Sequence, residues 1–200
     1  FIPHHLAHAY STFFSSGFDE AAVIVADASG SILSYKNKLN LWYNKDKTGL
    51  SSDEDWTEGI SLYHFTRKNY KEVYKKWIKY PVPIDTGEDV SVGTVYSHGS
   101  LQLIYEPNEN TWPAGKLMGL ASYANPDIVN EAPFFIEERE DDIFIPNNGI
   151  YPRVTWRSDF YSRACVAGIY QREQERVSLM LAQKAKELTR SEEHTSELQS

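Results

Sequence analysis

Cysteine is almost missing from this sequence: Cys165 is the only one in 200 residues. A single thiol excludes an internal disulfide and any all-cysteine metal site, and it fits a reducing cytoplasm. Long apolar runs are absent too. None approaches the ~18 residues that a spanning helix needs, so no membrane partner is expected. Positive charge is scarce, with 20 Lys and Arg against 28 Asp and Glu, for a net charge of −8. So acidic a chain lacks the basic face that general nucleic-acid binding requires, and no nucleic-acid partner is expected. There is no internal repeat and no low-complexity linker. What remains is ordinary globular composition, 41% hydrophobic and 24% charged, which is enough to bury a core without covalent staples. The length suits one domain or part of a larger one.

Both ends carry their own signals. The chain opens on Phe1-Ile2-Pro3 with no Met and no signal-peptide pattern, and reads as a fragment whose beginning is missing. Residues 190–200 read RSEEHTSELQS, which matches, in order, one reading frame of a common sequencing-adapter oligonucleotide. The expectation is an artefactual tail outside the fold, with His194 no ligand and residues 1–189 forming the domain proper.

Between these ends the pattern alternates helix and strand, the mark of an α/β domain. Residues 4 to 16 read as a helix, with Leu6, Tyr10, Phe13 and Phe14 on one apolar face. Gly17 stands where a left-handed C-terminal residue belongs, and Phe18 is placed to fold back. Ala21 to Ala26 is a short apolar run ending at Asp27, as for a strand buried on both faces. A turn at Ala28-Ser29-Gly30-Ser31 leads to a second strand over 32–43. Residues 44–58 read as an acidic loop, and Ile60, Leu62 and His64 as another strand. Residues 68–80 mix Lys with aromatics and read as a half-buried helix or strand with its Lys on the wet side. A helix is expected over 90–104, weakened by Gly93 and Gly99. Residues 114–123 (AGKLMGLASY) form a Gly-punctuated turn and short helix. Residues 134–136 and 143–145 flank a charged hairpin tip, and Asn147-Asn148-Gly149 is a further turn. A long helix runs over 164–189, with Val166, Ile169, Tyr170, Val177, Leu181, Ala185 and Leu188 inward.

The chemistry concentrates near the start. At about 100° per residue, His4 and His8 fall together one turn apart, away from the Leu6–Tyr10–Phe13 arc, while His5 points elsewhere. Two imidazoles at this spacing can hold one cation from a single helix face, given a carboxylate from another element. Asp27, at the end of a buried strand beside a Gly-containing turn, is placed to supply it. A His pair on a wet helix face is more often unliganded, however, and an Asp ending a strand is often a turn residue. The residues alone leave both readings open.

The run His4-His5-Leu6-Ala7-His8-Ala9-Tyr10-Ser11-Thr12-Phe13, continued by Ser16-Gly17-Phe18-Asp19-Glu20-Ala21, resembles the O-carbamoyltransferase family of nodulation-factor and antibiotic tailoring. The family pattern is HHxAHAxSAFxxSGFxxA, then a strand, then DGxGE. A second block, Ser91-Val92-Gly93-x-x-Tyr96 and then Gly115-Lys116-Leu117-Met118-Gly119-Leu120-Ala121-x-Tyr123, is similar to S-x-G-x-x-Y and GKxMGLAxYG. The likeness covers most of residues 3–189 and is weakest over 44–80. It implies an incomplete RNase H-like domain of the actin, Hsp70 and sugar-kinase group. It implies a divalent metal ion, iron among the candidates, held by His4, His8 and Asp27. It implies ATP, with Ser29, Gly30, Lys116 and Gly119 toward the nucleotide. The implied partners are carbamoyl phosphate, a hydroxyl-bearing small molecule or sugar as acceptor, and a missing C-terminal domain of the same chain. The implied reaction is carbamoyl transfer through a carbamoyl-adenylate. Three positions depart from the pattern: Ala28 and Ser31 replace a Gly and the Glu of DGxGE, and Ala124 replaces a Gly after Tyr123. Two other readings stay open: a relative of the tRNA threonylcarbamoyl-transfer enzymes, which share HxxxH, and a non-catalytic nucleotide- or metal-binding module of the same fold.

Overall fold

The computed structural model describes residues 2–34, 50–51, 53–81, 87–104, 113–139, 142–146, 153–189 and 194–196. They form a mixed α/β protein that divides into two compact units, residues 1–83 with 180–199, and residues 84–179.

The first unit is built on helix α1 (His4–Ser16) and strand β1 (Glu20–Ala26). Gly17, at φ 81°, ends α1 in the left-handed conformation that a residue without Cβ adopts freely. The turn returns the chain directly into β1. Strand β2 (Ile32–Leu33) is short, and β3 (Asp55–Thr66) and β4 (Tyr70–Tyr80) form a long antiparallel pair. One edge of β3 is shared by β2, which meets Trp56 and Thr57, and β1, which runs antiparallel along Ile60–Thr66. Beyond β1 lies a parallel three-residue strand near the end of the chain, β7 (His194–Ser196).

Helix α1 packs on this sheet through Ala9, Phe13, Ala21, Val23, Val25, Tyr63 and Phe65. The Phe13 and Phe65 rings sit 5.1 Å apart, and Tyr10 meets Phe65 edge-on at 5.2 Å. The buried face of α1 is His5, Ala9, Thr12 and Phe13. It lies to one side of the arc that the apolar residues mark out, and it takes in His5, which the sequence placed elsewhere.

The second unit begins with α2 (Val92–Leu103), whose first turn is capped by Ser91 Oγ accepting from Thr94 N at 3.1 Å. Next come α3 (Ala114–Ala121) and α4 (Pro126–Glu131), then the hairpin β5 (Glu137–Arg139) and β6 (Asp142–Phe144). The 30-residue helix α5 (Phe160–Thr189) follows, its residues to Leu179 counting with this unit and the rest with the first. Gly99 lets α2 come close to α5, since a Cβ there would stand 2.8 Å from the Tyr170 ring, which would have to shift.

Several expectations are corrected. The acidic stretch 44–58 is not loop to its end, because β3 starts at Asp55, where pairing with β4 satisfies a polar backbone. The strand expected over 32–43 is seen at Ile32–Leu33, and most of the remainder lies outside the described residues. The basic stretch is a strand, yet Lys75 and Lys76 are buried instead of wet, the β3–β4 register slipping twice along the pair. The hairpin strands run through the charged residues themselves, Leu188 is exposed, and the 147–149 turn lies outside the described residues. The tail does not stay clear of the sheet. An open strand edge accepts any extended segment, and His194–Ser196 pairs with Ala22–Ile24. No helix among the described residues is long and apolar enough to cross a membrane.

Phe13 is 1% exposed and Phe14 is 60% exposed. Urea unfolding should therefore show Phe13→Ala destabilising by about 3–5 kcal/mol and Phe14→Ala by under about 1 kcal/mol. Equal losses would contradict the packing of α1 described here.

Candidate metal centre

The start of α1 has no side-chain cap of its own, because Pro3 precedes it. Its first free N–H groups are met from elsewhere in the chain. His4 N donates to Ser31 Oγ at 2.8 Å, and His5 N donates to Glu58 Oε2 at 3.2 Å. These bonds draw the helix start onto the turn that follows β1. His4 and His8 then sit on the shoulder of the helix, beside its buried stripe, and face Asp27 at the end of β1.

His4 Nε2 lies 2.8 Å from Asp27 Oδ2 and 3.0 Å from His8 Nε2, while His8 Nε2 is 3.9 Å from the same carboxylate oxygen. One donor atom from each residue falls within 4.8 Å of the others, and all three side chains keep partial access to solvent. Hydrogen bonding alone serves this arrangement poorly. If the one proton of His4 Nε2 goes to Asp27, that nitrogen has no lone pair left to accept from His8. A cation among the three would use every lone pair. Two imidazoles and a carboxylate also suit a divalent transition metal. The three residues singled out in the sequence are thus brought together.

The nucleotide-directed residues are spread more widely. Ser29 is exposed on the turn after Asp27. Gly30 N donates to the Glu58 carbonyl at 2.8 Å, so that N–H is engaged by β3. Lys116 and Gly119 are exposed on α3, in the second unit.

Beneath the triad lies a polar layer that sequence reasoning missed. His5 is fully buried, with Nδ1 2.7 Å from Ser61 Oγ, and its Nε2 has no hydrogen-bond partner among the described residues. Burial pulls its pKa down to about 4, despite the opposing pull of Glu58, so the ring is neutral at pH 7. Glu58 is fully buried, and its Oε1 lies 2.6 Å from Lys75 Nζ. The ammonium also meets Glu72 at 2.9 Å and donates to the Tyr63 hydroxyl at 3.2 Å. Burial pushes the Tyr63 phenol up to about 12. His5 adjoins the His4–His8 pair but turns away from it toward the sheet, as its helical angle predicts, and meets Ser61 there. The available signal was Glu58 standing two residues before the apolar alternation of Ile60 and Leu62.

Two histidines and an aspartate on a helix–strand unit define a candidate metal centre in an α/β domain. The chain belongs to the carbamoyltransferase N-terminus family, which it matches over residues 1–144 and therefore over well more than half its length. It is the N-terminal part of a carbamoyltransferase, an enzyme when full-length. A search of curated proteins returned no significant match.

Gly30 is the tightest point of this layer. A Cβ on it would stand 2.7 Å from the His5 ring and 2.8 Å from Glu58. Gly30→Ala should therefore destabilise by about 1–3 kcal/mol in urea unfolding. Gly115→Ala, with open space around it on α3, should be neutral or stabilise by up to about 1 kcal/mol. Matching midpoints for the two variants would mean that the turn has slack.

Proposed function

We propose that this domain serves ATP-dependent transfer of a carbamoyl group from carbamoyl phosphate to a hydroxyl of a small-molecule or sugar acceptor, with His4, His8 and Asp27 holding a divalent cation. The single observation that carries the reading is the convergence of those three donors. A cation held there would neutralise phosphate charge and polarise the carbonyl under attack. The protein's own contribution is to aim two imidazoles and one carboxylate at a common point that remains open to solvent.

In this reading carbamoyl phosphate would first lose inorganic phosphate to water, leaving carbamate. A carbamate oxygen would attack the α-phosphorus of ATP and expel pyrophosphate, and the acceptor hydroxyl, losing its proton, would then attack the carbamoyl carbon and expel AMP. Ser29, two residues after Asp27 and exposed, would offer its backbone N–H and hydroxyl to such a phosphate, and the exposed Lys116 of the second unit is a further nucleotide candidate by its charge. The architecture in this reading is RNase H-like. The antiparallel order of β4, β3 and β1, with α1 packed on the sheet, supports it. Family membership favours this reading over the tRNA-modifying and non-catalytic alternatives.

Equilibrium dialysis against iron(II) or zinc(II) should give about one ion per chain. His4→Ala, His8→Ala and Asp27→Ala should each lose it. His64→Ala should keep it, because His64 pairs with Glu20 at 2.6 Å, at the other end of β1. In the complete carbamoyltransferase, the three losing variants should also lack carbamoyl-phosphate-dependent pyrophosphate release. Equal metal content in all four variants would sink the site.

A further inference from the structure

Glu58 is not among the proposed ligands, yet it touches both elements that carry them. Its Oε2 accepts from His5 N, next to the ligand His4, at 3.2 Å, and from Ser31 N, on the turn after Asp27, at 2.9 Å. Its main chain holds the same turn: the carbonyl accepts from Gly30 N at 2.8 Å, and its N–H donates to Ser31 O at 3.2 Å. Ser31 Oγ completes the link by accepting from His4 N. One buried oxygen therefore joins the start of α1 to the end of β1. The pattern DGxGE would put an acidic residue at position 31. Ser31 stands there, and the carboxylate against its N–H comes from β3.

We infer that Glu58 is a positioning residue for the cation site, its Oε2 setting the distance between the His4–His8 stripe and Asp27. The inference rests on the proposed reading of that triad. It assigns the effect to the acceptor oxygen and not to the buried charge, since Oε1 is the atom that serves Lys75.

That division gives the test. Glu58→Gln/Lys75→Met removes the buried ion pair but keeps an acceptor oxygen for His5 N and Ser31 N. Glu58→Met/Lys75→Met removes the ion pair and the acceptor together. Cobalt(II) is titrated into the full chain, with visible absorption reporting ligand geometry and urea midpoints of the metal-free protein reporting stability. The Gln/Met chain should bind cobalt within a few-fold of the parent, with the parental band. The Met/Met chain should bind roughly ten- to hundredfold more weakly, with an altered band, the usual effect of losing an outer partner of a metal site. Should that chain fail to fold, Glu58→Asp makes the same comparison, because it keeps the charge but draws the oxygen back by one methylene. Parental affinity and band in the Met/Met chain, or in Glu58→Asp where that variant stands in, overturn the role of Glu58 while leaving the triad intact. No cobalt binding by the parent overturns the triad and this inference together.

Discussion

A carboxylate taken out of water must find donors, and in the first unit the demands of Glu58 shape everything around it. Its partners come from three separate stretches of chain: the first turn of α1, the turn after β1, and Lys75 on β4. Most helices are capped by a neighbour in sequence. This one is capped by residues that arrive 27 and 53 positions later. The start of α1 is therefore a tertiary feature, in place only when β3 is in place. A site carried on that helix end inherits the cooperativity of the sheet.

The second unit uses the same device. Glu173, 1% exposed on α5, accepts from Phe135 N and Ile136 N, and it is neutralised by Arg172 and Arg176. In each unit two backbone N–H groups from elsewhere in the chain meet a buried carboxylate, and a cation from a regular element balances the charge. Such a clamp is more directional than apolar packing, because a second acceptor of the right reach is seldom nearby. Gly168 repeats the lesson of close approach, since a Cβ there would stand 2.6 Å from Ala124 and 2.7 Å from Val129.

The sequence made α1, β1 and the Gly17 turn legible, because periodicity, a continuous apolar run and a left-handed residue are local signals. The triad was legible for the same reason, as i,i+4 spacing and a strand end are local. The layer beneath it was not. Counting apolar residues finds Leu6, Tyr10 and Phe13, which do pack against the sheet, but it passes over Ala9, Thr12 and His5 on the buried face beside them. Close packing rewards small side chains and matched hydrogen bonds, which hydropathy does not score. Asp55 and Glu58 read as loop, and Lys75 as a wet face, because each owes its place to a partner distant in sequence.

The pairing of β2 with β3 has a consequence for how this sequence can change. Ile32 opposite Thr57, and Leu33 opposite Trp56, fasten the two ends of the intervening stretch to each other. Glu58 follows one residue after that clamp, so its position relative to Ser31 is set by ladder pairing and not by the length of chain between. Lengthening a closed loop costs little, about 0.6 kcal/mol per doubling. The ladder thus keeps the Glu58 oxygen against Ser31 N and His5 N whatever the length of chain that joins Leu33 to Trp56.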